Sequence, residues 1–252
     1  MIRVLILGGT GDASELAAKI SMILGVQVIT SLAGRTRQPS VPTGPMRIGG
    51  FGGQAGLVQY VQAQQINFLI DATHPFAAQI SWNAAAAATE AGIPHLRLIR
   101  PAWQPMSGVD SDCWIEVDTL EAAAAAIPNT AKRVFLTTGR QQLAPFIPLT
   151  HLWFLIRSID PPDPETSMPN GLLLLDRGPF TLEQERHLLI KHQIDLIVSK
   201  NSGGEATYAK ILAARELRLP VVMVRRLTMP VGAQVSSVEE AIAWLIKSMN
   251  KL

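Results

Sequence analysis

The sequence predicts an α/β protein in which parallel β-sheets are covered by helices on both faces. Short apolar runs alternate with longer amphipathic stretches along the chain, an order typical of β-α-β units. Hydrophobic residues make up 48% of the chain and charged residues only 17%, so most elements must be buried on both faces. The length of 252 residues suits one or two domains.

The first half of the chain contains three predicted strands, each followed by a predicted helix. The strands are predicted over Ile2–Leu7, Val26–Thr30 and Asn67–Asp71, and the helices over Asp12–Leu24, Gln54–Gln65 and Pro75–Ala91. The strand runs are short and apolar, whereas the helical stretches place apolar residues three and four positions apart. Asp12 and Glu15 have the spacing of a capping pair, and Pro75 suits a first helical turn.

The second half repeats this order after a break. A helix is predicted over Asp118–Ala126, and the Pro and Asn residues of 127–130 mark the predicted boundary between domains 1–129 and 130–252. Strands are predicted over Arg133–Thr137, His151–Ile156, Ile194–Val198 and Val221–Val224, and helices over Leu182–His192, Glu205–Leu217 and Val238–Met249. Paired domains of this class predict ligands at the carboxyl ends of the strands and in a cleft between the domains.

A glycine-rich loop joins the first strand to the first helix. Its residues are Gly8, Gly9, Thr10, Gly11 and Asp12. The glycines permit a tight turn and bring backbone amides close to a pyrophosphate at the helix N-terminus. The spacing departs from G-x-G-x-x-G, and a glycine turn of this kind also occurs in α/β proteins that bind no dinucleotide.

The charges after the second strand favour NADP over NAD. A site for NAD needs a carboxylate about 20 residues after the glycine loop, to accept from the ribose hydroxyls. No Asp or Glu stands between Glu15 and Asp71. The stretch instead carries basic and hydroxyl side chains, and we expect three of its residues, Ser31, Gly34 and Arg35, to contact a 2′-phosphate. A solvated basic loop is the alternative interpretation.

A second glycine-rich segment precedes the second helix. Gly49-Gly50-Phe51-Gly52-Gly53 lets the backbone pass close to a ligand. We expect Gly50, Phe51 and Gly52 to contact the dinucleotide. A mobile loop would have the same composition.

A further candidate site lies where the third strand meets its helix. Asp71-Ala72-Thr73-His74-Pro75-Phe76 falls at the carboxyl edge of the predicted sheet. Thr73 is expected beside the nicotinamide, and His74 is a candidate proton donor or polar contact to a substrate. Either side chain could instead simply cap the following helix.

The loops of the second half carry basic residues suited to an acidic substrate. Four basic residues fall at predicted loop positions: Arg140, Arg157, Arg177 and Lys200. Lys200 belongs to Ser199-Lys200-Asn201-Ser202-Gly203-Gly204, in which Asn201, Ser202 and Gly203 follow a strand and could hold an anion. Together these residues suit a polycarboxylate, although each alone is typical of a protein surface.

Composition argues against several classes of protein. The net charge of +2 does not suit a general nucleic-acid-binding protein, and the one cysteine, Cys113, rules out an intrachain disulfide. The five histidines lack the spacing of metal ligands, so no metal is expected. Tyr60 and Tyr208 lack a lysine four positions later, which argues against a short-chain dehydrogenase. The absence of a membrane-length apolar run and of a secretory pattern predicts a cytoplasmic protein.

Taken together, these motifs resemble the precorrin-6A reductase family of cobalamin biosynthesis, including its cobalt-precorrin-6A branch. The resembling segments are Leu7–Thr10, Ser31–Arg35, Gly49–Gly53, Asp71–Ala77, Thr138–Arg140, Arg177–Phe180, Ser199–Gly204 and Val221–Arg226. They follow one another over nearly the whole chain, and Asp71–Ala77 is the most specific of them. Leu227-Thr228 departs from the family pattern, in which proline is expected, and this difference bears on a loop.

The resemblance implies a specific reaction. It implies two Rossmann-like domains, NADPH on the N-terminal domain, and a tetrapyrrole in the cleft that is reduced by hydride transfer to precorrin-6B. His74 and Lys200 are then the first candidates for catalytic roles. The alternative is a non-catalytic NADPH-sensing regulatory protein, which would explain the glycine loop but not the basic loops of the second half. The sequence does not indicate the oligomeric state.

Overall fold

A computed structural model describes residues 1–34, 44–108 and 111–251. The strands are β1 (Ile2–Leu7), β2 (Val26–Leu32), β3 (Met46–Ile48), β4 (Phe68–Asp71), β5 (His95–Leu98), β6 (Trp114–Val117), β7 (Arg133–Leu136), β8 (Trp153–Ser158), β9 (Gly171–Leu175), β10 (Leu196–Lys200), β11 (Val221–Val224) and β12 (Gln234–Val235). The α-helices are α1 (Gly11–Ile20), α2 (Gly53–Ala63), α3 (Ala78–Ala91), α4 (Leu120–Ala125), α5 (Leu182–Lys191), α6 (Ala209–Glu216) and α7 (Val238–Met249). None of the helices in these ranges combines the length and apolar character that crossing a membrane requires.

The first compact unit comprises Met1–Pro101 and Leu227–Leu252. Its six strands are all parallel, in the order β12-β5-β4-β1-β2-β3. This is the order of a doubly wound, Rossmann-like sheet, in which the strand order reverses between β1 and β4. Ligands of such sheets bind at the carboxyl ends of the strands near that reversal.

Both faces of the first sheet are buried, as the apolar strand sequences predict. Val4 and Ile6 of β1 belong to the core beneath α1 and α7. Leu5 and Leu7, which point to the opposite face, belong to the core beneath α2 and α3. The alternation follows from the two-residue period of a strand and fixes the register of β1 within the sheet.

The second compact unit comprises Ala102–Arg226. Its parallel sheet has the order β6-β11-β10-β7-β8-β9, with the reversal between β7 and β10. Phe135, Leu155 and Ile197 are fully buried in the core that also contains residues of α5 and α6. Both sheets are therefore parallel and covered by helices, which confirms the predicted α/β class.

The structure divides the chain differently from the predicted boundary at residues 129 and 130. Strand β6 lies before that boundary but pairs in parallel with β11, and β12 near the chain's end pairs with β5. The first sheet therefore takes β12 from near the end of the chain, whereas the second sheet is built from the consecutive strands β6 to β11. The predicted boundary followed the Pro and Asn residues of 127–130, which lie inside the second unit, so it misplaced residues 102–129 and 227–252.

Several predicted element boundaries also need correction. Strands β8 and β10 lie two residues later than predicted, which moves Arg157 and Lys200 from loops into strands. Helix α3 begins at Ala78 because Pro75 lies in the preceding turn. The cap of α1 is Thr10, whose hydroxyl accepts from the Ala13 amide, and Asp12 lies inside the helix.

Candidate functional site

The carboxyl ends of β1, β2, β3 and β4 surround a cavity of about 420 Å³ in the first unit. Residues predicted to bind the cofactor or substrate that line it are Gly8, Gly9, Ser31, Gly34, Gly50, Phe51, Gly52, Thr73 and His74. Apolar walls come from residues that the sequence analysis did not select, including Leu32, Ile48 and Ile80. Segments far apart in the sequence thus meet at the place where a doubly wound sheet binds its ligand.

The first glycine loop exposes its backbone to the cavity. Gly9 has φ of +110°, and a Cβ atom placed there would meet nothing within 4 Å. The position therefore needs glycine for its backbone conformation, and the bare backbone faces open space. Thr10 holds the loop from behind, since its hydroxyl donates to the Ala72 carbonyl at 2.8 Å while accepting from Ala13.

Three of the predicted cofactor residues do not line the cavity. Thr10 uses its hydroxyl to cap α1, and Gly11 and Asp12 form the first turn of that helix. The Asp12 carboxylate forms an ion pair with Arg100 at 3.0 Å. Arg35, the predicted partner of a 2′-phosphate, lies outside the described residues.

Arg47 joins the end of β2 to the second glycine segment. Its guanidinium donates to Ser31 Oγ at 3.0 Å and to the carbonyls of Gly49 and Gly50, both at 2.9 Å. It also stacks over the Phe51 ring, 3.8 Å from the centroid. Arg47 is one of the basic residues between Glu15 and Asp71, but it was not predicted as a site residue.

The turn after β4 is fixed by a buried carboxylate. Asp71 Oδ1 accepts from the Thr73 amide at 3.0 Å and from the Thr73 hydroxyl at 2.6 Å. Arg97 lies beside the other oxygen at 3.9 Å, and both side chains are buried. Burial lowers the pKa of the neighbouring His95, a shift that the Asp71 charge opposes. The two bonds from Thr73 to Asp71 Oδ1 hold this turn in place, with Thr73 and His74 at the cavity wall.

A backbone contact determines which nitrogen of His74 can donate a proton. The Phe76 amide donates to His74 Nδ1 at 3.2 Å. Because Nδ1 acts as an acceptor, the neutral imidazole carries its proton on Nε2. Neither Thr73 nor His74 is the N-cap of α3. That helix begins at Ala78, and its N-cap is Ala77, at which no side chain makes a capping hydrogen bond.

In the second unit, Lys200 lies at the reversal of the strand order. It is the last residue of β10, and its Nζ donates to Gln142 Oε1 at 2.9 Å. Gln142 follows β7, so the bond links the ends of the two central strands. Lys200 thus occupies the position in this sheet where a ligand is expected.

The residues after Lys200 are held by the side chains of Asn201, which was predicted as a site residue, and Arg226, which was not. The Asn201 side chain is buried and bonds both backbone polar groups of Trp103, at 2.8 and 2.9 Å. Arg226 donates to the carbonyls of Asn201 at 2.9 Å and Ser202 at 3.1 Å. Gly203 follows with φ of +69°. The Asn201 amide is thus committed to positioning this loop.

Arg157 is not in a cleft-facing loop but inside β8, where it is buried. Its guanidinium forms an ion pair with the buried Glu185 at 2.7 Å and stacks on Phe180, 3.8 Å from the centroid. Arg140 donates to the Pro161 carbonyl at 2.8 Å, whereas Arg177 is exposed. Of the four predicted basic residues of the second unit, Arg157 is buried, Arg140 and Lys200 are partly buried, and Arg177 is exposed.

A buried lysine lies near this ion pair. Lys210 of α6 donates to the Thr207 carbonyl at 2.8 Å, and its Nζ lies 4.8 Å from the centre of the Trp103 ring. Burial lowers the pKa of Lys210 to about 7, with Arg157 and Lys200 adding to the shift and Glu185 opposing it. Nothing in the sequence pattern distinguished this lysine from a solvated one.

No group of three or more potential metal-ligating side chains occurs within the ranges that the structure describes.

Comparison with known proteins identifies the family. The family described as "Precorrin-6x reductase CbiJ/CobK" matches residues 3–246. The chain is 50% identical over 246 residues to a precorrin-6A reductase of Rhodococcus erythropolis, covering 97% of this chain and 98% of that protein. It is 45% identical over 240 residues to a precorrin-6A reductase of a Sinorhizobium species, covering 95% and 91% of the two chains.

A solved structure supports the same assignment. The structure titled "CobK precorrin-6A reductase" superposes with a TM-score of 0.91 at 40% identity, covering 98% of this chain and 97% of that one. Sequence and fold agree over almost the full length of each chain compared. The chain therefore belongs to the precorrin-6x reductase family, a family of oxidoreductases.

Proposed function

We propose that this protein catalyses the NADPH-dependent reduction of precorrin-6A to precorrin-6B in cobalamin biosynthesis. The observation that carries the proposal is the cavity at the carboxyl ends of β1 to β4, in a chain of a reductase family. The precorrin-6A substrate rests on the names of relatives that are 45% and 50% identical over nearly the whole chain.

The residues around the cavity fit an NADP dinucleotide. Gly9 leaves space for a pyrophosphate beside the N-terminus of α1, where free backbone amides and the helix dipole favour an anion. At the end of β2, Ser31 offers a hydroxyl where NAD-binding sheets carry a carboxylate. Arg35 is retained as a phosphate ligand on the sequence argument alone. When bound, NADPH supplies the hydride.

His74 is the proposed proton donor. Its Nε2 carries the proton of the neutral ring because Nδ1 accepts from the Phe76 amide. Addition of a hydride to a conjugated carbon of the macrocycle leaves negative charge that a proton must neutralise. Thr73 and His74 line the cavity together, so the donor lies on the same rim as the proposed nicotinamide position.

The acidic groups of the tetrapyrrole are proposed to bind residues of the second unit. Lys200, Ser202, Arg140 and Arg177 supply cationic and hydroxyl groups suited to carboxylates. Lys200 lies at the strand reversal and is the proposed catalytic contact among them. Arg157 is reassigned, because its buried ion pair with Glu185 suits a packing role rather than substrate contact.

The test is incubation with precorrin-6A and NADPH, followed by mass spectrometry of the product. We expect oxidation of the nucleotide and a product that has gained two hydrogens, one as hydride and one as proton. A parallel reaction with cobalt-precorrin-6A measures the preference between the two substrates. Absence of reduction of either tetrapyrrole, with the folded protein and excess NADPH present, would contradict the proposed function.

A further inference from the structure

Arg47 lies directly beside Ser31 in the first sheet. Strands β2 and β3 are parallel, and their register pairs Ser31 with Arg47. Residues paired in register project their side chains to the same face of a sheet. The guanidinium therefore reaches the Ser31 hydroxyl, which it contacts at 3.0 Å, at the end of β2 where the sheet order places a ribose.

The Arg47 guanidinium connects the end of β2, the second glycine segment and the Tyr60 ring. It bonds Ser31 at the end of β2, and it bonds the carbonyls of Gly49 and Gly50 in the second glycine segment. Its planar face covers the Phe51 ring at 3.8 Å and lies 5.2 Å from the Tyr60 ring of α2. This one group therefore joins Ser31 to the second glycine segment.

The contact with Arg47 also determines what the Ser31 hydroxyl can do. Since Arg47 donates to Ser31 Oγ, the hydroxyl keeps its own proton for another acceptor. Ser31 lines the cavity and is only 5% exposed, so an acceptor reaching it would come from a ligand rather than from bulk water. A phosphate oxygen is a strong acceptor for such a group, and the guanidinium charge behind the hydroxyl strengthens the attraction.

We propose that Arg47 is a positioning residue that makes this site selective for NADPH over NADH. It orients Ser31 and the Gly49–Phe51 segment around the 2′-phosphate and supplies a fixed positive charge beside them. The inference rests on the proposed function, because it assigns a residue to the cofactor site of that reaction. Lysine could not replace the guanidinium fully, because it lacks the planar fork that reaches three acceptors and stacks on Phe51.

The test is calorimetric titration of the full-length protein with NADPH, NADH and 2′,5′-ADP. Arg47→Met should weaken binding of NADPH and 2′,5′-ADP by about 10- to 100-fold, the value of a charge-assisted contact, and change NADH binding far less. Arg47→Lys should recover part of the lost selectivity. Arg3→Met is the matched control, because Arg3 bonds Gln27 and Gln64 of the same unit near the opposite ends of β1 and β2.

A second variant tests the inference without altering Arg47, so that the result does not depend on how well the Arg47 variants fold. Ser31→Ala removes only the hydroxyl and should lower NADPH affinity while sparing NADH. Selectivity for NADPH over NADH that stays at the wild-type level in folded Arg47→Met, whether or not both affinities fall, would overturn the inference.

The inference and the proposed function can fail separately. A wild-type protein that reduces precorrin-6A, with selectivity that survives in Arg47→Met, contradicts the inference alone. A protein whose NADPH selectivity depends on Arg47 but that reduces neither tetrapyrrole supports the inference and contradicts the proposed function.

Discussion

His74 has its proton-donating nitrogen determined by its own turn. The Phe76 amide occupies Nδ1, so any proton delivered to a substrate must leave from Nε2. His74→Ala removes the donor but leaves the glycine loops and Ser31 in place. We expect turnover to fall by about 10²- to 10⁴-fold, the usual value of general acid catalysis, with NADPH affinity retained. Steady-state kinetics and nucleotide titration measure the two effects, and unchanged turnover would remove His74 from the mechanism.

The buried Lys210 makes the free energy of unfolding depend on pH. The pKa of Lys210 is about 7 in the folded protein, compared with an ordinary value of 10.5. Between these values the unfolded chain binds more protons than the native state, so the free energy of unfolding rises with pH across that window. Below about pH 7 the native state must bury a charged ammonium, and the full cost of its desolvation lowers the free energy of unfolding.

The measurement compares urea unfolding of wild type and Lys210→Met from about pH 6.5 to pH 9.5. The methionine variant should gain stability relative to wild type at the acid end, and the difference should shrink as pH rises. Lys247→Met replaces an exposed lysine and should show no such trend. If the difference in the free energy of unfolding between wild type and Lys210→Met stays constant with pH, Lys210 does not have the lowered pKa that this prediction requires.

Helix α2 approaches the second glycine segment so closely that its own glycine is required. A Cβ atom at Gly56 would lie 1.7 Å from the Phe51 carbonyl oxygen, a distance that no structure tolerates. Gly56→Ala should therefore displace Phe51 or destabilise the first unit by about 1–3 kcal/mol, and weaken NADPH binding in either case. Gly232→Ala, at a position with open space, is the control. Chemical unfolding measures the stability of the variant, and NADPH titration measures its affinity. Wild-type values of both quantities would contradict the prediction.

The elements that could be predicted from sequence are those with a clear period or a continuous apolar run. The predictions for β1, β11 and α7 match the structure in both bounds, because each has apolar residues in an uninterrupted pattern. Most of the missed strands are short or interrupted by polar residues, whereas β9 is a continuous apolar run that was not predicted. Strand β5 contains His95 and Arg97, whose burial depends on Asp71 in the neighbouring strand, and such tertiary pairing leaves no local signal.

The same distinction separates the predicted site residues from the missed ones. Glycine loops and the Thr73–His74 turn were recognisable because their residue types suit strand-to-helix turns. Arg47 and Arg226 act by bonding carbonyl groups of other loops, a role that depends on which strands are neighbours. Arg157 appeared to follow a strand, but a shift of two residues places it inside β8 and buries it against Glu185.

At the scale of the whole molecule, the chain leaves the first unit after β5 and returns to it for β12 and α7. Leu245 of α7 is fully buried in the same core as Leu16 of α1, although more than 200 residues separate them in the sequence. The C-terminal segment therefore completes the unit that carries the glycine loops. The predicted boundary assigned this segment to the second domain, so the dependence of the first unit on α7 was not predicted.

This connection predicts a long-range effect of a C-terminal substitution. Leu245→Ala should destabilise the first unit by about 2–5 kcal/mol, the usual cost of such a cavity, and lower NADPH affinity where that unit begins to unfold. Ile246→Ala, one residue away on the exposed side of α7, should leave both quantities near wild type. Urea unfolding followed with and without NADPH tests this. Equal effects of the two substitutions would contradict the assignment of α7 to the core.

A crystal structure of the protein with NADP⁺ at saturating concentration would show whether the cavity at the ends of β1 to β4 holds the dinucleotide. We expect the pyrophosphate beside Gly9 at the N-terminus of α1, the 2′-phosphate within hydrogen-bonding distance of Ser31 Oγ, and the nicotinamide beside Thr73 and His74. A dinucleotide bound at any other place on the protein would contradict it.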